Sequence, residues 1–252
     1  MRVAFTGCSL TVGEGFPEDQ RDQFIYNCLV SKHFDFDKVN FSQPGASNYK
    51  IFMQAGPAVV SKEFDIVFVQ WPVFSRMWIS PGPDIHLYLS DPKITDFRYR
   101  DLYVSSSELT KFKNMVRLLN HDYQNIHDMI NYCKFLDTMA KQTKTKIVYI
   151  NGGLPWTDDL CNPLTDDLSS CLSAYSKNLL DFDNCNDTEI VTYFSKLQEK
   201  FKNIDQSKWV NLFDSFVENS VDLGPEGHHP GIKSHQWLAN KIINHLTQRK
   251  II

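Results

Sequence analysis

The feature that most constrains the fold is a series of short, almost uninterrupted apolar runs separated by helical patterns. The clearest run is FDIVFVQW (64–71), in which Asp65 and Gln70 are the polar residues. A strand with one face in water would alternate polar and apolar residues, so such a run indicates a strand covered on both faces, as in a parallel sheet. The other runs predicted as strands are 1–5, 37–41, 146–151 and, more weakly, 209–213.

Helical patterns lie between these runs. Apolar residues recur at helical spacing over 24–29 and again over 239–246. From 112 to 133 their spacing alternates between three and four, which predicts one long amphipathic helix or two joined end to end. Strands and helices in alternation indicate an α/β fold with a parallel sheet and right-handed crossovers.

The length of 252 residues suits one large α/β domain or two small ones. Two segments, 72–107 and 152–187, interrupt the alternation and exceed ordinary loop lengths. We predict a single domain spanning 1–252, with these segments as insertions at one end of the sheet, where loops build binding sites.

Composition narrows the classes of partner. With 42% hydrophobic and 22% charged residues the chain is globular, and a net charge of -4 gives no reason to expect nucleic acid or an acidic membrane as partner. No run approaches the roughly 20 apolar residues that span a bilayer, and the first apolar run stops at Phe5. The six cysteines contain no C-x-x-C pair. We therefore expect a cytoplasmic protein with reduced thiols.

The stretch FTGCSLTVGEG (5–15) follows the first predicted strand. A strand, a glycine-containing turn and a helix would place Ser9 at the carboxyl end of the sheet, where open α/β sheets bind ligands. Neither the P-loop nor the G-x-G-x-x-G phosphate motif is present. From these residues alone, Ser9 is a nucleophile, part of an anion-binding turn, or a residue of an ordinary turn.

The stretch LGPEGHHPGIKSHQWLANKI (223–242) supplies the groups that a nucleophilic serine needs, a base and an acid that orients it. Glu226 lies two and three residues before His228 and His229, and in a loop rich in Gly and Pro it can bend back to reach a ring nitrogen. Two alternatives stay open. The loop is merely exposed, or Glu226, both histidines and His235 bind a metal, although their spacing matches no standard metal motif.

Three blocks, in chain order, resemble those of SGNH (GDSL-type) hydrolases. GCSLTVGEG (7–15) resembles the G-D-S-L-T-x-G block, SQPGASNYKI (42–51) the second block, and Glu226 with GHHPG (227–231) the D-x-x-H-P block. The resemblance implies a three-layer α/β/α, flavodoxin-like fold. It also implies that Ser9 is the nucleophile, that His229, which precedes a proline, is the general base, and that Glu226 orients it.

The same resemblance implies an oxyanion hole formed by the N–H groups of Ser9 and Gly45 and by an asparagine of a third block. That block, G-x-N-D after the third strand, has no counterpart in VQWPVFSR (69–76). Gln70 carries a similar amide and is the first substitute. The further candidates for substrate contacts are Asn48, Arg76, Trp71, for which packing in the core is the alternative, and His228, which also competes with His229 for the role of base.

The function implied is a serine esterase that cleaves an ester or O-acyl bond and uses neither a metal nor an organic cofactor. An O-acetyl group on a carbohydrate and a short-chain acyl ester are the leading substrates. One rival is a catalytically impaired module of the same fold that binds a glycan or a protein. The other is a flavodoxin-like anion or nucleotide binder, which would leave EGHHPG (226–231) unexplained.

Overall fold

The computed structural model describes residues 1–72, 76–78, 86–88, 122–153, 199, 201–227 and 229–252. Its strands are β1 (Arg2–Thr6), β2 (Asp37–Asn40), β3 (Ile66–Trp71), β4 (Arg76–Trp78), β5 (His86–Tyr88) and β6 (Lys146–Asn151). β2, β1, β3 and β6 form, in that order, a sheet in which every neighbouring pair is parallel. β4 and β5 pair with each other in an antiparallel arrangement.

The α-helices are α1 (Ser9–Val12), α2 (Glu18–Phe24), α3 (Tyr26–Phe34), α4 (Asn48–Val60), α5 (Asp122–Thr143) and α6 (Ile232–Gln248), and Gln206–Lys208 form a short 3₁₀ helix. α3 packs against α6, and α4 packs against α5. The crossover from β1 to β2 and the crossover from β2 to β3 run in opposite directions, so right-handed connections place α3 and α4 on opposite faces of the sheet. The predicted three-layer α/β/α fold is confirmed.

The core follows from strands that are covered on both sides. All six residues of β3 are buried, as the apolar run at 64–71 predicts. Phe5 of β1 stacks on Phe68 of β3 with ring centroids 4.5 Å apart, and both side chains are fully buried. The sheet therefore forms the centre of the core, and its carboxyl edge is left to the connecting loops.

The prediction of a strand over 209–213 is wrong. Trp209 forms a single parallel bridge with Tyr149 of β6, and the ladder goes no further. Asn211 is the reason, because its side chain takes the place of a backbone partner. Its amide oxygen accepts from the N–H of Asn151 at 2.9 Å, and its amide nitrogen donates to the carbonyl of Asn151 at 2.8 Å.

The helix predicted over 24–29 is divided in the structure, since Ile25 has extended backbone angles and separates α2 from α3. The long helix predicted from 112 onward is described from Asp122. The insertions predicted at 72–107 and 152–187 lie largely outside the described residues, so the single domain stays a prediction. Among the helices described, none combines the length and the apolar character needed to cross a membrane.

Candidate active site

The predicted site lies at the carboxyl edge of the sheet, where the strand order reverses. From β1 the chain first moves to β2 on one side, and β3 then lies on the other side of β1. Loops that leave two such strands diverge and open a crevice, which is where open α/β sheets bind ligands. Ser9 follows β1, and Gln70 is the penultimate residue of β3, so both lie at this edge.

Ser9 opens α1 after a connection of two residues, Gly7 and Cys8. Cys8 has an extended backbone, and its carbonyl accepts from the N–H groups of Thr11 and Val12 at 3.0 and 3.1 Å. Ser9 itself is 1% exposed. The first N–H groups of a helix have no acceptor within it, so the N–H of Ser9 has none inside α1.

Gln70 is completely buried and joins the end of β3 to α1. Its amide oxygen accepts hydrogen bonds from Thr11 Oγ1 at 2.9 Å and from the N and Sγ atoms of Cys8 at 3.4 and 3.3 Å. Its amide nitrogen donates to the carbonyl of Trp71 at 2.8 Å. The predicted oxyanion donor is thus an anchor of the turn that carries Ser9, and one of its N–H groups is already bound.

The hydrogen bonds that lead to Gln70 have a defined direction. Thr11 gives its one hydroxyl proton to Gln70, so the hydroxyl of Tyr26, 2.8 Å from Thr11 Oγ1, is the donor of that pair. Burial raises the pKa of Tyr26, which keeps the phenol protonated as this role requires. Gly152 allows the close approach, because a Cβ there would lie 1.7 Å from Nε2 of Gln70.

The loop before α6 brings Glu226 and His229 together. Nδ1 of His229 lies 3.1 Å from a carboxylate oxygen of Glu226, and the side chains are 17% and 41% exposed, respectively. The N–H of Gly224 donates to the carbonyl of His229 at 2.8 Å, which closes the loop. A carboxylate at Nδ1 favours the tautomer that carries its proton there and leaves Nε2 as the acceptor.

The other ring nitrogen of His229 faces the turn that follows α1. Nε2 lies 3.7 Å from a carboxylate oxygen of Glu14, and the N–H of Glu14 donates to the carbonyl of Ser9 at 3.0 Å. Gly15 has a φ of +105° and lies so close that a Cβ there would be 2.9 Å from the Cβ of His229. The predicted base therefore packs against the turn that follows the predicted nucleophile.

The segment between β2 and α4 is tied to the turn after β1. The N–H of Gln43 donates to the carbonyl of Gly7 at 3.2 Å, and the N–H of Gly7 donates to Gln54 Oε1 at 3.3 Å. Gly45 is buried within this segment.

Asn48 is 4% exposed, and neither polar atom of its side chain has a hydrogen-bond partner in the described part of the chain. A buried polar group left unsatisfied costs about 1–3 kcal/mol, so the amide of Asn48 is available to bind a ligand.

The other predicted contacts differ in what the structure describes. Trp71 has no exposed surface, and its ring packs with those of Tyr132 and Tyr149 at centroid distances of 6.4 Å. This burial favours the alternative reading of Trp71, packing in the core. Arg76 opens β4, but its side chain lies outside the described residues, as does all of His228.

His235, considered as a metal ligand, is a core residue of α6 in contact with the rings of Phe16, Tyr26 and Phe216. The N–H of Tyr26 donates to its Nδ1 at 3.3 Å, and burial lowers the pKa of His235 to about 4. The ring is therefore neutral near pH 7. Within the described ranges, no group of three or more His, Cys, Asp or Glu side chains is placed to hold a metal.

The sequence does not predict two parts of this site, the position of Glu14 and the hydrogen bonds that lead to Gln70. Glu14 has a weak local signal, an acidic residue between two glycines in TVGEG (11–15). The hydrogen-bonded series from Tyr26 through Thr11 to Gln70 has none, because its members come from separate elements and meet only in the folded chain.

No family model and no curated protein matches the chain. Similar solved structures include TesA, at 12% identity and a TM-score of 0.47, with 100% of each chain covered. A lipolytic protein of the G-D-S-L family from Desulfitobacterium hafniense has 10% identity, a TM-score of 0.47, and coverage of 97% of this chain and 99% of that one. An acetylxylan esterase from Geobacillus stearothermophilus has 11% identity, a TM-score of 0.46, and coverage of 97% of this chain and 93% of that one.

The G-D-S-L family is the one that the three sequence blocks resemble. At these identities and TM-scores the likeness bears on neither the substrate nor the site.

Proposed function

We propose that this protein is a serine hydrolase of the SGNH type that cleaves an ester or O-acyl bond through an acyl-enzyme. The observation that carries the proposal is the 3.1 Å contact of Glu226 with His229, in a loop that packs against the turn following Ser9. A nucleophile, a base and an acid that orients the base are the set that this chemistry needs. Their position at the carboxyl edge of the sheet, where the strand order reverses, supports the same function.

In the proposed reaction, Ser9 Oγ attacks the carbonyl carbon of the ester while Nε2 of His229 takes the hydroxyl proton. Glu226 accepts the hydrogen bond from Nδ1 and stabilises the imidazolium that forms. His229 then gives its proton to the departing alcohol, which leaves the acyl group on Ser9. A water molecule attacks this acyl-enzyme with His229 again as base, and the products are the acid and the alcohol. No step uses a metal or an organic cofactor.

The negative charge that develops on the carbonyl oxygen needs hydrogen-bond donors. We assign this role to the N–H groups of Ser9 and Gly45, each worth roughly two to three powers of ten in rate. Asn48, three residues after Gly45, is a third donor supported by its buried and unsatisfied amide. Gln70 has one amide N–H on the carbonyl of Trp71, which leaves its second N–H for the oxyanion.

The proposed substrate is a small ester. A nucleophile that is 1% exposed favours a short acyl group over a bulky one. An O-acetyl group on a carbohydrate and a short-chain acyl ester both meet this condition. The three sequence blocks support the ester class, and Asn48 supplies a polar contact for either substrate.

One observation favours a second function, a binding module of the same fold with impaired catalysis. Gln70, the first substitute for the asparagine of the third block, already directs its amide oxygen and one N–H into internal hydrogen bonds. With a weak oxyanion hole, the crevice would bind a glycan or a protein without cleaving it.

Hydrolysis of short p-nitrophenyl esters separates the two functions. The hydrolase predicts turnover by the wild type and its loss in Ser9→Ala, with the fold checked by circular dichroism. Inactivity of the wild type on acetyl, butyryl and octanoyl esters, combined with tight binding of an acetylated oligosaccharide, would favour the binding module instead.

A further inference from the structure

The imidazole of His229 lies between two carboxylates, one at each ring nitrogen. Glu226 is 3.1 Å from Nδ1, and Glu14 is 3.7 Å from Nε2. The proposed mechanism uses Glu226 alone, so it leaves Glu14 without a role. The carboxylate of Glu14 is nevertheless on the side from which Nε2 must take the proton of Ser9.

The position of Glu14 is set by the backbone of the nucleophile's own turn. Its N–H donates to the carbonyl of Ser9 at 3.0 Å, next to the N–H of Gly13, which donates to the same oxygen at 2.9 Å. Gly15 then turns with a φ of +105° and brings its backbone against His229 and Glu226. The carboxylate is therefore held beside the ring by the turn, and its side chain is 34% exposed.

We propose that Glu14 is a positioning residue that acts through His229: it holds the ring and stabilises its protonated form, opposite Glu226. The effect of Glu14 on the rate rests on the proposed function, whereas its position beside His229 does not. When His229 takes the proton of Ser9, a positive charge appears between two negative ones, which lowers the energy of the state that follows proton transfer. The same attraction keeps the free enzyme's ring protonated, and so inactive as a base, up to a higher pH.

Of the other charged groups described around the ring, His235 and Asp222 keep the same charge above pH 5. Glu226 is the partner at Nδ1. His235 on α6 interacts electrostatically with His229, but with a pKa of about 4 it is uncharged above pH 5. Asp222 acts on His235. Burial opposes the ionisation of Asp222, but hydrogen bonds from Ser234 and the N–H of Lys233 outweigh it and lower the pKa, so Asp222 stays ionised. His228 adjoins the ring in the chain and lies outside the described residues.

The test titrates His229 by NMR, which does not require activity, and measures the pH profile of kcat/KM on p-nitrophenyl acetate. His229→Gln assigns the ring signal. In Glu14→Gln we expect the titration midpoint of His229 and the acidic limb of kcat/KM to fall together by about one pH unit, the lower range for an opposite charge at this distance. Glu14→Asp should restore most of both. Glu18→Gln, at an exposed position in the first turn of α2, is the matched control and should change neither.

The same midpoint in Glu14→Gln and in the wild type would overturn the proposal. So would an equal fall in Glu18→Gln, because the effect would then be one of net charge. If the midpoint falls in Glu14→Gln alone while the wild type hydrolyses no ester, the role of Glu14 beside His229 stands and the hydrolase function fails.

Discussion

Two clusters of polar side chains flank the turn that carries Ser9, and they differ in burial and in charge. The Gln70 cluster (Gln70, Thr11, Tyr26) is uncharged and fully enclosed, and its hydrogen bonds run in one direction. The His229 cluster (Glu14, Glu226, His229) is ionisable and partly exposed. The enclosed cluster fixes the position of Ser9, and in the proposed function the exposed one supplies the groups that move protons. Changes in the first should therefore alter stability, and changes in the second should alter rate and pH dependence.

The largest expected effect lies at the proposed catalytic pair, Ser9 and His229. Ser9→Ala and His229→Ala should each lower kcat on p-nitrophenyl acetate by about 10⁴–10⁶, and the double variant should lose no more, because the two residues act as one unit. Initial rates of the three purified variants test this. Losses that multiply in the double variant would mean that the two side chains act independently.

Glu226→Gln should lower kcat by about 10²–10⁴, because an amide in its place does not enforce the tautomer with the proton on Nδ1. The free energy of unfolding should change by less than about 1 kcal/mol, since the carboxylate is 41% exposed. Glu18→Gln serves as the control in both assays. A large loss of stability in Glu226→Gln would instead mean that Glu226 has a structural role.

Gln70→Ala should show the opposite pattern. It removes the acceptor of Thr11 and Cys8 and leaves a cavity beside Gly152, which together cost about 2–4 kcal/mol of unfolding free energy. Guanidinium unfolding measures the change. Gln43→Ala, at an exposed position, should stay within about 0.5 kcal/mol of the wild type. A stable Gln70→Ala variant with kcat reduced by about 10² or more would instead favour Gln70 as an oxyanion donor.

The smallest expected effect concerns His235, which is buried against the Gln70 cluster through Tyr26. Its pKa is about 4 in the folded protein and 6.5 as the unperturbed value, so the unfolded chain binds the extra proton first as the pH falls. Its contribution is fully present above pH 6.5 and is lost on acidification towards pH 4. Between pH 7 and 4.5 the loss amounts to about 2 kcal/mol by linkage.

Unfolding free energies at several pH values in this range measure that loss. In His235→Gln the free energy of unfolding should fall by about 2 kcal/mol less between pH 7 and 4.5 than in the wild type, whatever the absolute stability of the variant. An equal fall in the two proteins would contradict a neutral, buried His235.

The sequence predicts what is encoded locally. The strands are predictable because both of their faces are covered, which leaves long apolar runs such as 64–71. The contact between Glu226 and His229 is predictable because Glu226 lies three residues before His229 in a loop rich in Gly and Pro. The prediction of a strand at 209–213 is wrong because the side chain of Asn211, and not its backbone, bonds to the backbone of Asn151. The apolar content of the segment does not reveal this.

The environment of Gln70 and Trp71 is not predictable in the same way. Both residues end the third apolar run (64–71), and the family resemblance directs attention to them as site residues. The structure encloses both, and this depends on packing against Thr11, Tyr132 and Tyr149, which come from other elements. Similarly, the proximity of Glu14 to His229 arises only when the turn after α1 meets the loop before α6.

Labelling with a fluorophosphonate probe tests whether Ser9 is an activated nucleophile, because the probe reacts with such a serine whatever its substrate. Mass spectrometry should find the label on Ser9 of the wild type. His229→Ala, shown to be folded by circular dichroism, should not be labelled. An unlabelled Ser9 in the wild type, or equal labelling in His229→Ala, would contradict a nucleophile activated by this histidine.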